Sequence, residues 1–486
     1  MSYKLSKSPS IMLEALHPEI TGSCLKLSIE LPYFKTAMLV DCGVFQEEKY
    51  RKLNGVFNFN EGLKDVEYVF LTHGHEDHIG NCAYLYKYGY TGNIYTTAPT
   101  RKFLSNSLAG KSKYSYNTNE EKYNITFSNN EIEKTKGSII DMEYGKTLNL
   151  SKNISVTFFE NGHMLGAAII VISITYFEDG KKKHFNIDFT GDFSNTNPFI
   201  NIKALPYHVL NAPTFLVQEA TYGDRHKILN SATFDDIISD SISNKKQNFI
   251  LSNSLEKFEQ IMLNLRKKQD KNIIPSKHKI LFDGTSAFKG LKVYKTEIPN
   301  FKNSAKDFIP KNSKWISHLE RETLIPTKTW DFLIAPSGTG DIGISKDILP
   351  LLINKRNINI LFTSYLPENS IGKFLLDLPH GKYISHPAFQ TVKLANVAQA
   401  KEFSLHNPIE PNITFAKGFK NLLGVFVQHG SNYAKATYAN ELEKHVNIPF
   451  VAILSRDIFI KVKIGLNIPC YNTKKPLNIL SKESTT

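Results

Sequence analysis

The chain has 486 residues, 41% of them hydrophobic and 12% aromatic, which is too long for one simple core and apolar enough for good packing, so two or three domains are expected. A net charge of +13 points to an anionic partner, with nucleic acid first in line, although a Lys-rich sequence acquires such a balance from base composition as well. The four cysteines, Cys24, Cys42, Cys82 and Cys470, are widely scattered and form no CxxC pair, so neither a zinc ribbon nor a disulfide framework is indicated, and they read as buried thiols in a reducing compartment. Residues 1–7 lack the apolar core of a signal peptide, and no apolar run reaches the roughly 18 residues of a membrane span. A soluble cytoplasmic protein with no membrane partner is expected.

In chain order, residues 11–41 alternate in strand fashion and end in Asp41-Cys42-Gly43. A carboxylate at the carboxyl edge of a buried strand is where sites gather in layered α/β folds. Residues 66–71 form a second apolar strand pattern, followed by Thr72-His73-Gly74-His75-Glu76-Asp77-His78 and then by a helical pattern over residues 79–85. A strand that turns into a helix through this run fans its side chains around one point. His and Asp are zinc ligands, and His73, His75, Asp77 and His78 lie close enough to begin two adjacent sites. Residues 100–136 are polar and predict surface helices and loops, and strand patterns return at 154–159, 168–174 and 184–189.

After Tyr222 the composition shifts. Helix-like segments alternate with apolar strands at 249–252, 280–282, 332–335 and 358–362, which predicts a second α/β layer around a parallel sheet. The Lys-rich residues 266–279 are expected to be a solvated edge or linker, and past Lys401 strands and His-bearing loops return. Four further ligand-type residues follow apolar strands at turns: His163, Asp192, Glu219 and His429. A lone His after a strand is a ligand about one time in ten. Recurrence of one order, apolar strand, ligand-type residue, glycine and turn, raises the odds. The loop Ser337-Gly338-Thr339-Gly340 has the composition to present backbone N–H groups to a phosphate at a helix start, against the competing reading of an ordinary glycine turn.

His73, His75, Asp77 and His78, with Asp41 before them and His163 and Asp192 after, resemble the metallo-β-lactamase superfamily motif series in its usual order. Glu219 through Arg225, Ser337-Gly338, Ser404-Leu405-His406 and Gln428-His429-Gly430 are similar to segments of its β-CASP ribonucleases, including the RNase J and messenger-RNA 3′-end processing branches. The resemblance implies an α/β fold: an αββα sandwich from residues 1–222 and 396–486, with an inserted α/β β-CASP domain over 223–395. It implies two Zn2+ ions, one held by His73, His75 and His163, the other by Asp77, His78 and His429, with Asp192 between them and Asp41 behind the ligands. Catalysis would rest on Asp77, Asp192, Glu219 and His406, and phosphate binding on Ser337, Gly338 and Thr339. His at 429 marks the RNA-processing branch, whereas the DNA-repair branch has an apolar residue there. The chain departs from the pattern at Pro408, Ser431, Ser364 and Thr339, none of them a ligand position.

The implied function is a zinc-dependent ribonuclease, endonuclease or 5′ exonuclease, acting on single-stranded RNA in processing or decay and leaving 5′-phosphate and 3′-hydroxyl ends. The chemistry is coherent by itself. Two cations about 3.5–4 Å apart activate a water and hold phosphate oxygens, and a His oriented by a carboxylate protonates the leaving 3′ oxygen. A homodimer is compatible with this reading. The competing readings are a hydrolase of a small ester or phosphodiester, a β-CASP nuclease acting on DNA, and a catalytically silent scaffold. The insert and basic charge count against the first, and the filled ligand positions against the last.

Overall fold

The computed structural model describes residues 9–17, 22–45, 54, 63–111, 127–178, 180–226, 233–387, 389–455, 458–465 and 469–473. The expectation for residues 1–7, and much of that for 100–136, falls outside them. The chain separates into two compact units, one of residues 1–196, 202–226 and 406–486, the other of 197–201 and 227–405.

The first unit is built on two sheets. The eight-stranded one runs in the order Pro469–Thr473, Ile458–Lys463, Ser10–His17, Cys24–Leu31, Phe34–Val40, Val66–Phe70, Ile94–Thr96, Ile139–Asp141. The seven-stranded one runs Val451–Ile453, Leu422–Gln428, Thr214–Glu219, Lys181–Phe189, Ala168–Glu178, Ile154–Glu160, Thr147–Asn149. Alternation along each strand decides what lies between them. In Ala168–Glu178, Ile170, Ile172 and Ile174 join Leu27, Met38 and Phe70 of the other sheet in one core, while Ile169 and Val171 pack outward with Ile413, Tyr438 and Leu442 of the covering helices. On the other side, Leu39, Val69 and Leu71 meet Cys82, Leu85 and Leu104 of a second helical layer. The result is the αββα sandwich. A slip of one residue would exchange the two apolar sets, so the register is strongly specified.

Strand direction positions the site. Phe34–Val40 and Val66–Phe70 are parallel neighbours, so Asp41 and the segment after Phe70 emerge side by side. In the other sheet Lys181–Phe189, Thr214–Glu219 and Leu422–Gln428 are parallel, with Val217 opposite Phe426. Ile154–Glu160 runs in the same direction, being separated from Lys181–Phe189 by one antiparallel strand. Their carboxyl ends therefore share an edge.

The second unit holds a six-stranded, wholly parallel sheet in the order Ser313–Trp315, Ile280–Phe282, Phe332–Ala335, Gln247–Leu251, Ile358–Phe362, Asn396–Gln399. Its central strands are buried on both faces, which is why they read as continuous apolar runs rather than alternating ones.

Several expectations are corrected. Residues 396–405, read from sequence as part of the sandwich, run with the second unit, because Asn396–Gln399 pairs with Ile358–Phe362. The segment 266–279 is not all linker: residues 266–270 finish the helix Lys257–Asp270, where Lys268 reaches Asp235 at 2.7 Å and Arg266 reaches Asp270 at 3.0 Å. Cys470 is exposed on an edge strand, whereas Cys24, Cys42 and Cys82 are buried as expected. Ser337, Gly338 and Thr339 follow the strand Phe332–Ala335, but the next helix begins only at Gly343, so their amides are not those of its first turn.

Candidate metal centre

The site lies wholly within the first unit. The segment after Val66–Phe70 carries His73 and His75, and the short helix Glu76–Ile79 carries Asp77 and His78. That helix is held by residues 42–44, with Cys42 N donating to His78 O at 2.8 Å and Val44 N to Glu76 O at 3.1 Å. Gly43 permits this approach, since a Cβ there would fall 1.6 Å from Asp77 O. His163 follows Ile154–Glu160, Asp192 follows Lys181–Phe189, Glu219 ends its own strand, and His429 follows Leu422–Gln428.

These turns bring the ligand atoms of His73, His75, His163 and Asp192 within 4.8 Å of one another, and likewise those of Asp77, His78 and His429. Asp192 faces both groups. Its Oδ2 lies 3.7 Å from His73 Nε2 and 3.6 Å from His163 Nε2, while its Oδ1 lies 3.2 Å from His78 Nε2 and 3.3 Å from His429 Nδ1. His75 Nδ1 sits 3.2 Å from His73 Nε2 and 3.0 Å from His163 Nε2.

Ligands about 2.0–2.2 Å from one tetrahedral ion stand roughly 3.3–3.6 Å apart, close to these separations. Among the described residues, the buried atoms His78 Nε2, His429 Nε2 and Asp192 Oδ1 have no hydrogen-bond partner. Buried polar atoms are normally satisfied, so a convergent set of orphaned donor atoms fits a cation. The metallo-β-lactamase fold implies divalent metal binding, and these residues fit it.

Electrostatics without metal follow the same geometry. Burial holds His73 well below the usual imidazole range and brings His75 down to about 4, leaving both neutral as ligands must be. Burial also disfavours charge on His78, but Asp192 and Asp41 outweigh it and raise the group. Burial opposes ionisation of Asp192, yet His429 and His78 hold it well below the ordinary carboxylate value.

Behind the ligands, Asp41 Oδ2 lies 2.7 Å from His78 Nδ1, and Asp41 Oδ1 accepts from Thr72 N at 2.8 Å. Thr72 Oγ1 is also 3.0 Å from His73 Nδ1. A Cβ at Gly191, where φ is +58, would strike Thr72. Glu219 is fully buried and accepts from Phe193 N at 2.7 Å and Thr221 N at 3.0 Å, and it lies 2.9 Å from His406 Nδ1. Burial lowers His406, but the Glu219 charge outweighs it and raises the group. Thr72, Asn161 and Thr221, the last 2.9 Å from His429 Nδ1 through its hydroxyl, are absent from the sequence-derived set. Their one signal is adjacency to ligand-type residues. Ser337, Gly338 and Thr339 lie in the second unit.

Residues 31–179 match the metallo-β-lactamase superfamily domain. Transcription termination factor FttA of Methanococcus maripaludis is 24% identical over 354 residues, covering 70% of this chain and 54% of that protein. A ribonuclease of Thermus thermophilus is 25% identical, covering 70% of this chain and 77% of that protein. An RNase J-like protein of Methanocaldococcus jannaschii is 23% identical, covering 88% and 96% respectively. The chain spans about half the length of the termination factors it matches. Residues 31–179 are thus similar to the metallo-β-lactamase superfamily domain, and the longer matches are to proteins named as a termination factor, a ribonuclease and an RNase J-like protein.

Proposed function

We propose that the protein is a two-zinc ribonuclease that hydrolyses phosphodiester bonds of single-stranded RNA and leaves 5′-phosphate and 3′-hydroxyl ends. The observation that carries this reading is Asp192, whose two oxygens each face a separate group of buried nitrogen ligands. His73, His75 and His163 would hold one ion, and Asp77, His78 and His429 the other, with Asp192 shared. Imidazole and carboxylate donors suit zinc. When bound, such a pair supplies an acidified water and charge neutralisation for the phosphate.

The chain's own groups do the rest. Asp41 fixes the ring of His78 and, through Thr72, the backbone that leads into His73. Glu219 holds His406 through Nδ1 and favours its protonated form, which places the proton for the leaving 3′ oxygen at Nε2. The basic balance of +13 favours a polyanionic substrate, and the ribonuclease names of two relatives support RNA. The loop Ser337-Gly338-Thr339 remains the phosphate-binding candidate in the second unit. Labelled single-stranded RNA and DNA incubated with zinc-loaded protein should show cleavage of the RNA. Intact RNA, with the metal content verified, would sink the proposal.

A further inference from the structure

Asn161 is fully buried and precedes the Gly162-His163 turn. Its side chain makes three hydrogen bonds, all to backbone. Oδ1 accepts from His163 N at 2.7 Å, and Nδ2 donates to Thr190 O at 2.7 Å and to Asp192 O at 2.6 Å. The amide therefore uses both donors and one acceptor lone pair on two different loops, the one that presents His163 and the one that presents Asp192. Two contacts run beside it. Gly162 N donates to Ser194 O at 2.9 Å, and Asn161 N to Ala167 O at 3.2 Å. Gly191, at φ +58, lies between the two carbonyls that Nδ2 holds, so the backbone on either side of this left-handed turn is fixed by one side chain.

We propose that Asn161 is a positioning residue for the metal centre: its carboxamide sets the distance and angle between His163 and Asp192, the two ligand candidates that arrive on separate strands. His163 Nε2 and Asp192 Oδ2 stand 3.6 Å apart, and no covalent or sheet constraint fixes that separation, because both residues lie beyond the ends of their strands. An alanine at 161 would leave one buried N–H and two buried carbonyls to find other partners, and both loops would relax. An aspartate at 161 would keep the acceptor for His163 N but set a carboxylate oxygen against two carbonyl oxygens, so it should displace the Asp192 loop selectively.

This inference rests on the metal-centre part of the proposed function but not on RNA cleavage. The 486-residue chain, stripped of metal, is titrated with Co2+ in competition with a chelator, and the visible ligand-field spectrum is recorded for wild type, Asn161→Ala and Asn161→Asp. Residues that orient ligands typically contribute about 10–100-fold to metal affinity. Loss of that order in Co2+ affinity, with altered ligand-field bands in either variant that folds, is the expected result. Wild-type affinity and an unchanged spectrum overturn it, even if thermal stability falls, because a purely structural role would lower stability alone. Wild-type protein that binds Co2+ but leaves RNA intact would contradict the ribonuclease reading while leaving this comparison decisive.

Discussion

Carboxylates in this molecule are buried on two different terms. Asp192 and Glu219 are buried among donors and imidazoles, which is what a binding or proton-transfer role requires. Glu259, on the helix Lys257–Asp270, and Asp188, on the strand Lys181–Phe189, are fully buried with no partner for either oxygen among the described residues. Burial raises both, and in Glu259 the nearby Glu256 raises it further. A carboxyl held above its ordinary 4.5 in the folded chain contributes stability that is present below that pH and is lost as pH climbs toward the folded value, since the unfolded chain ionises first. Glu259→Gln has no proton to lose. Its melting temperature relative to wild type should therefore move upward as pH is raised from 4.5 toward neutrality. A difference that stays constant across that range would show that Glu259 is charged, or solvated, in the fold.

The short helix Glu76–Ile79 shows how much of the site depends on one element. It has four residues and no side-chain cap, so its own hydrogen bonds do not stabilise it. Its carbonyls are instead taken by neighbours, including Ser23 N on Asp77 O at 2.7 Å and Cys42 N on His78 O at 2.8 Å. Gly43→Ala would drive a methyl into Asp77 O, and relief requires that the helix or the 42–44 segment shift. Overpacking of this kind costs about 1–3 kcal/mol. Denaturant unfolding should register that loss, and bound zinc should fall because Asp77 and His78 move. Wild-type stability and zinc content in this variant would mean that the close approach is an accident of the fold.

The same element explains what was legible in the sequence. His73 to His78 stand out because one strand end and one helical turn supply them consecutively. His163, Asp192, Glu219 and His429 were legible only as a repeated order, since what unites them is the shared carboxyl edge of strands distant in sequence. Thr72, Asn161 and Thr221 were not legible. A Thr or Asn after a strand has no chemistry that marks it, and the partners that give each its place, the Asp41 carboxylate for Thr72, backbone atoms of two loops for Asn161 and the His429 ring for Thr221, come mostly from segments distant in sequence. The strand Asn396–Gln399 was missed for a different reason. Four residues of mixed polarity at a sheet edge carry no periodicity long enough to read.

At the scale of the whole molecule, both units follow one rule: parallel strands gather polar residues at their carboxyl ends. The first unit gathers its candidate metal ligands there, and the second gathers the Ser337-Gly338-Thr339 loop and Ser364. In the first unit the candidate ligand set is complete only after the chain has formed residues 227–405 as a second unit and returned with His429, while His406 arrives on the same return beside Glu219. Among the described residues no helix is long and apolar enough to cross a membrane. Whether this assembled centre cuts RNA through bound metal is decided by titrating zinc into metal-free protein and following cleavage of an end-labelled single-stranded RNA. No cleavage is expected without zinc, and with zinc a rise that levels off at two bound equivalents, with 5′-phosphate ends on the products. Cleavage that persists in metal-free protein, or RNA left intact with two zinc ions bound, would contradict the ribonuclease reading.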